Sequence, residues 1–235
     1  MPAQKEWRFC GKCHGLFFDG YSDKGRCPAD GSGHQAIGFN FVLPHDVPPN
    51  ERAQQDWRFC VKCHGLFFDG YLNKGLCPRG GGHQAMGFNF VLPHSVPGTR
   101  TAQPNWRFCG RCHGLFFDGY PNKGRCPGTG NGHQAIGFNF VLPHPIQPSV
   151  QLQDLGGSVN VSGSGFTPNS QVQIFYSYKH AHGFTSNGVN PIVIPTQTDG
   201  SFTGVTFNLT GRDVANINVK VVDNVTGTDA LAQLR

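Results

Sequence analysis

The chain has 235 residues and a formal net charge of +5, with 14% charged residues, 33 glycines and 17 prolines. This length suits two moderate units, or one unit and a set of repeats. No run is long and apolar enough to span a membrane as a helix, and the basic residues are scattered rather than gathered into the dense stripe of a nucleic-acid binder.

The opening MPAQKEW lacks the basic-then-apolar order of a secretory signal. At Trp7 a block begins, WRFCGKCHGLFFDGYSDKGRCPADGSGHQAIGFNFVLPH, and runs to His45. It is written again from Trp57 to His94 and from Trp106 to His144, with starts 50 and then 49 residues apart. The blocks hold their residues while the polar, proline-containing linkers 46–55 and 95–105 drift. The expected division is three β-repeats, 1–50, 51–100 and 101–148, followed by a different unit, 149–235.

Inside a block, Trp7 and Phe9 alternate with Arg8, and Phe39, Phe41 and Leu43 alternate with Asn40 and Val42. This period of two predicts strands that bury Trp7, Phe9, Phe39, Phe41 and Leu43. Leu16 to Asp19 reads as a short strand closed by an Asp19-Gly20 turn. The stretch CPADGSGH reads as a loop, and no segment has a helical period. Each block is thus expected to form three or four short strands around a small aromatic core.

All nine cysteines lie in the blocks, three per copy, each set followed by a histidine. Cys10, Cys13, Cys27 and His34 follow the spacing C-x2-C, a longer gap, then C-x6-H. The equivalents are Cys60, Cys63, Cys77 and His83, and Cys109, Cys112, Cys126 and His133. Thiolates and an imidazole in this order suit a tetrahedral zinc ion, and Cys₃His is a structural ligand set. In the middle copy the loop is one residue shorter, yet its histidine remains, as an anchored residue would. A block this small buries too little apolar surface to fold firmly alone, whereas a structural zinc contributes on the order of 10–16 kcal/mol. Three structural Zn²⁺ ions are therefore expected, and a filled ligand set leaves no open position for catalysis.

Two other readings use the same residues. CGKCH, CVKCH and CGRCH match the C-x-x-C-H attachment motif of c-type haem, with His14 as axial ligand, which leaves Cys27 without a role. Disulfides cannot pair three cysteines within one block. His14 and His45 also recur and stand as alternatives to His34 for the fourth ligand.

The block resembles a tandem repeat, W-R-F-C-x-K-C-x-x-L-F-F…K-G-x-C-P…G-x-H…G-F-x-F-x-L-P-H, of uncharacterised bacterial, often actinobacterial, proteins. The resemblance covers most of residues 7–144. It implies Cys10, Cys13, Cys27 and His34 as the recurrent set, with the His14 position freer, and immunoglobulin-like tails in some members.

Arg8, Asp19, Tyr21 and Asn40 also recur without being obvious core residues, as Arg58, Asp69, Tyr71 and Asn89, and as Arg107, Asp118, Tyr120 and Asn139. Turn geometry, a cross-strand pair and a snorkelling lysine, Lys24, account for most of such recurrence. The sharper reading is a surface offered three times, where Asp and Asn beside an aromatic ring suit a sugar.

Beyond residue 149, alternation at Val159 and Val161, at Val172, Ile174, Tyr176 and Tyr178, and at Ile217, Val219 and Val221 predicts a β-sandwich. Asp199-Gly200 reads as a hairpin turn before Phe202, Val205, Phe207 and Leu209. GSVNVSGSGFTPNSQVQIFYS resembles the opening strands of bacterial immunoglobulin-like modules. His180 and His182 read as an incidental loop pair.

The expected protein is all-β: three zinc-stapled repeats, strung as beads or closed around a β-trefoil-like pseudo-threefold axis, then an immunoglobulin-like sandwich. No catalytic constellation or phosphate-cradling loop is visible, so an enzyme is not expected. The leading expectation is a multivalent binding or adhesion protein for glycans or a cell-surface polymer, acting outside the cell, although the missing signal leaves the cytoplasm open. The alternative is a self-associating surface-layer or filament protein. A multihaem electron carrier and a nucleic-acid-binding zinc protein rank below both.

Overall fold

The alternating aromatic residues become strands in every repeat of the computed structural model, which describes residues 1–183, 185–188, 190–208, 214–225 and 227–234. The first repeat forms β1 (Ala3–Cys10), β2 (Leu16–Phe18) and β3 (Ala36–Pro44). The second forms β4 (Ala53–Cys60), β5 (Leu66–Phe68) and β6 (Ala85–Pro93), and the third forms β7 (Ala102–Cys109), β8 (Leu115–Phe117) and β9 (Ala135–Pro143). Each is an antiparallel sheet with the longer first strand in the middle, in the orders β2-β1-β3, β5-β4-β6 and β8-β7-β9. Among the described residues there is no helix.

The first strand starts at Ala3, ahead of Trp7, so the repeat includes a lead, A-Q-x-x-W, also present at Ala53-Gln54 and Ala102-Gln103. Two bulges interrupt the sheet. Glu6, Asp56 and Asn105 take a positive φ of about 70°, and the register slips between Gln4 and Trp7. A second slip falls between Arg8, opposite Asn40, and Phe9, opposite Ile37, where Gly38 has φ 69°. This second bulge corrects the burial expected for Phe39. The side-chain period of two breaks at Gly38, so Phe39 is only partly buried, and its equivalents Phe88 and Phe138 are 42% and 45% exposed. Trp7, Phe9, Phe41 and Leu43 are buried as expected.

The three repeats are not separate beads. Together they form one unit, Met1–Pro145, with one shared aromatic core. Trp7 packs edge-on against Phe59 and Phe90 of the second repeat, Trp57 against Phe108 and Phe140 of the third, and Trp106 against Phe9 and Phe41 of the first. Backbone bonds run in the same direction: Phe18 N–H to His64 O, Phe68 N–H to His113 O, and Phe117 N–H to His14 O. Each relation passes from one repeat to the next and the third returns to the first, which closes the repeats around a pseudo-threefold axis.

The second unit, Ile146–Arg235, has its own core. One sheet holds β10 (Ser149–Asp154), β11 (Ser158–Ser164) and β15 (Phe202–Asn208) in that order. The other places β12 (Gln171–His180) beside β13 (Thr185–Asn187), β14 (Ile192–Pro195) and β16 (Val214–Asp223), with β17 (Asp229–Leu234) beyond β16. Val159 and Val161 of one sheet and Val172, Ile174, Ile217, Val219 and Val221 of the other share the core. The Asp199-Gly200 turn corrects an expectation: it links β14 and β15, which lie in different sheets, so it is no hairpin. Leu209 lies outside the described residues.

Candidate metal centres

The donors of each centre come from two short loops. β1 ends at Cys10, and the chain then turns, with Cys10 N–H donating to Gly15 O and His14 N–H to Cys10 O. His14 sits at the tip with φ 64°, and His64 and His113 have φ 63° and 64°. This turn brings Cys13 beside Cys10. The glycine-rich loop supplies the other pair, held by Cys27 N–H to Ser32 O and His34 N–H to Lys24 O. Lys12 Nζ clamps it from outside by donating to Asp30, Ser32 and Gly33. In the shorter middle loop, Lys62 donates to the carbonyls of Gly80 and Gly82 instead, which is how a residue can be lost without moving His83.

The donor atoms of Cys10, Cys13, Cys27 and His34 lie within 4.8 Å of one another, as do those of Cys60, Cys63, Cys77 and His83, and of Cys109, Cys112, Cys126 and His133. Sγ of Cys10 is 3.9 Å from Sγ of Cys27, and Sγ of Cys13 is 3.5 Å from Nδ1 of His34. The other repeats give 4.0 and 3.8 Å for the sulfur pair, and 3.5 Å for sulfur to nitrogen. No cysteine is in a disulfide, and all nine are buried. Backbone N–H groups of Gln35 and Gln84 point at the sulfurs of Cys10 and Cys60, a contact that favours thiolate. Four proton-sharing groups in one dry cluster pull against each other. Hydrogen bonds from Cys13 and Cys27 draw Cys10 far below an ordinary thiol, while Cys13 is pushed up by Cys10 and Cys27. Burial works against a charge on His34, but hydrogen bonds with Cys10 and Cys27 outweigh it and lift the imidazole to about 9. Each group of four could hold a metal ion.

Two of the three imidazoles, those of His83 and His133, also join the repeats. His83 directs Nδ1 at its own sulfurs and donates Nε2–H to Cys112 O, at 3.1 Å. His133 does the same to Cys13 O, at 3.2 Å. A proton on Nε2 leaves the Nδ1 lone pair for the metal, which is the usual division of labour in a metal-binding histidine. Gly25, Gly75 and Gly124 pack on the carbonyls of Cys63, Cys112 and Cys13. A Cβ on any of them would fall 2.1 Å from that oxygen.

The remaining histidines have other work. The His14 side chain lies outside the donor cluster and packs against Phe9 and Tyr120. His45 stacks on Phe88, His94 on Phe138 and His144 on Phe39, each with ring centroids 3.8 Å apart. The partner always belongs to the next repeat. These clasps went unseen in the sequence, and the only signal for them was the joint recurrence of F-x-F-x-L-P-H.

The recurrent surface residues separate. Asn40 Oδ1 accepts Glu6 N–H at the first bulge (2.9 Å), as Asn89 and Asn139 do for Asp56 and Asn105. Asp19 forms an ion pair with Lys24 at 2.8 Å, repeated as Asp69–Lys74 and Asp118–Lys123. Arg8, Arg58 and Arg107 donate to the carbonyls of Gly38, Gly87 and Gly137. Tyr21, Tyr71 and Tyr120 are about half exposed, at 48%, 53% and 50%. Gln4, absent from the expected surface, accepts Trp7 Nε1–H at 3.1 Å, and Gln54 and Gln103 serve Trp57 and Trp106 alike. In the second unit His180 ends β12 and its Nε2 meets Ser186 Oγ at 3.0 Å.

No family model matches the chain, and no curated protein matches it. Two solved structures of a Bacteroides uniformis β-glucuronidase align with it at 8% and 9% identity and TM-scores of 0.23 and 0.24. Each alignment covers 99% of this chain but only 32% of the enzyme, so the chain spans about a third of those structures. No helix among the described residues is long and apolar enough to cross a membrane.

Proposed function

We propose that this chain is a non-catalytic, multivalent binding and adhesion protein that engages glycans or a cell-surface polymer outside the cell, with one structural zinc ion in each repeat. The zinc assignment rests on distance. Tetrahedral zinc with Zn–S of about 2.3 Å and Zn–N of about 2.0 Å sets sulfurs about 3.8 Å apart and sulfur and nitrogen about 3.5 Å apart. The donors meet both values. With four protein donors the ion has no position left for a substrate.

The observation that carries the binding reading is the half-exposed tyrosine offered three times by one closed unit. Weak sites repeated at fixed spacing gain avidity on a target that also repeats. The two antiparallel sheets of the second unit, sharing one core, support reading it as an immunoglobulin-like module. Elemental analysis with a glycan array tests the proposal. About three zinc equivalents and retention on at least one glycan are expected; a coloured, haem-containing protein or a silent array would overturn it. Self-association has one observation in its favour. Phe175, Val193 and Leu231, on one sheet of the second unit, are 41%, 50% and 74% exposed. Concentration-dependent light scattering with a silent array would favour that reading.

A further inference from the structure

The clefts between consecutive repeats resemble each other closely. Between the first and second, Tyr21 and Gln4 face Met86, Gly87 and Phe88 across a cavity of about 110 Å³. Between the second and third, Tyr71 and Gln54 face Ile136, Gly137 and Phe138 across about 140 Å³. At the closing seam Tyr120 lies 6.1 Å from Phe9, as Tyr21 lies 6.0 Å from Phe59 and Tyr71 6.1 Å from Phe108. Neither cavity is lined by a charged side chain.

Three properties of these clefts point to one kind of occupant. Their walls are aromatic and remain open to solvent, for Phe88 and Phe138 keep over 40% exposure beside the half-exposed tyrosines. Apolar surface left open at two matched places marks a binding surface more readily than a packing need. Their polar group is an oriented amide. Trp7 Nε1–H occupies Gln4 Oε1, which leaves the Gln4 NH₂ as a donor. Their volume suits a single six-membered ring. Aromatic walls meet the C–H faces of such a ring, the amide and the tyrosine hydroxyl meet its oxygens, and the uncharged lining disfavours an acidic or basic ligand.

We infer that each seam between repeats is a binding site for one uncharged sugar residue of a polysaccharide, with Tyr21, Gln4 and Phe88, and their equivalents, as its contacts. This deepens the glycan reading above and rests on it. Each site is built from two repeats, so it exists only while those two stay packed together. The zinc ions then support binding without touching the sugar.

The test is co-sedimentation of the full chain with insoluble cellulose, chitin, mannan and starch, with a carboxylated polymer, alginate, and with phenyl-derivatised beads. Retention on at least one neutral polymer and not on alginate is expected. The triple variant Ile37→Glu, Met86→Glu, Ile136→Glu sets a charge at each partly exposed rim, and Tyr71→Ala opens one cleft. The triple variant should lose retention, and Tyr71→Ala should weaken it about tenfold or more through lost avidity. Zinc content and the fluorescence of the buried tryptophans report folding. Full retention of the folded triple variant overturns the seam site while the glycan reading stands. Absence of wild-type retention on every neutral polymer overturns both, and capture by phenyl beads alone assigns the clefts to apolar side chains instead.

Discussion

His83 and Cys112 belong to different repeats, yet the Nε2–H of His83 donates to the Cys112 carbonyl oxygen at 3.1 Å. Because Cys112 supplies a donor to the third centre, the second and third centres share one hydrogen-bonded strut. Under the zinc proposal, losing the ion from the second centre frees His83 and loosens the loop of the third. In Cys77→Ser, zinc content should fall by one equivalent or more. Of the ions that remain, the one in the third centre should pass to a colorimetric chelator faster than in the wild type. Three independent, equal release rates in the wild type and an unaltered pair in the variant would remove the strut from the account.

Stripping all zinc should separate the two units. Under the zinc proposal the first unit rests on small sheets stapled by ions, each worth on the order of 10 kcal/mol, whereas the second unit contains no cysteine and has a core of its own. With a strong chelator, limited proteolysis should digest residues 1–145 and leave a fragment starting near residue 146. Equal digestion of both would show that the second unit depends on the first.

Gly25 and Gly38 make a matched pair for substitution. Both have φ close to 68°, so alanine strains either by about 1–2 kcal/mol. Only at Gly25 does the new Cβ meet the Cys63 carbonyl, 2.1 Å away, while at Gly38 nothing lies within 4 Å. Denaturant titration should find Gly38→Ala mildly destabilised, and Gly25→Ala destabilised by about 3 kcal/mol or more with lower zinc content.

The clasp at His94 carries a pH dependence. Burial lowers its pKa below the ordinary histidine value, so the unfolded chain takes up this proton first as pH falls. The stabilisation is present in full above about 6.5 and is lost as pH drops through the depressed value. His94→Phe should keep the stack on Phe138 and flatten this part of the stability profile. Zinc release from protonated thiolates remains in both proteins, so the difference between their profiles isolates the clasp. A profile unchanged by the substitution would place the acid sensitivity elsewhere.

Much of the metal centre was legible because its chemistry is local. Cys10 and Cys13 lie on one turn and Cys27 and His34 on one loop, so spacing alone carries the ligand pattern. The clasps were not legible, because the partner of His45 is Phe88 in another copy, and three near-identical copies cannot show which one a residue faces. Phe39 misled for a different reason. Its alternation with Phe41 holds in sequence, but the positive φ of Gly38 shifts the register, and a strand pattern carries no mark of a bulge except the glycine itself. Gln4 lay outside the block that begins at Trp7, although Ala-Gln before the bulge recurs in all three copies.

The stack of His144 on Phe39 bears on how this gene can change. Near-identical tandem copies invite unequal recombination, which adds or removes one repeat at a time. A chain with two copies would leave a clasp histidine and a Cys carbonyl facing solvent at a gap, and a fourth copy would have no seam to enter. Closure thus ties the repeat count to the geometry of the seams, while sequence drift falls in the linkers, which are 10 and 11 residues long.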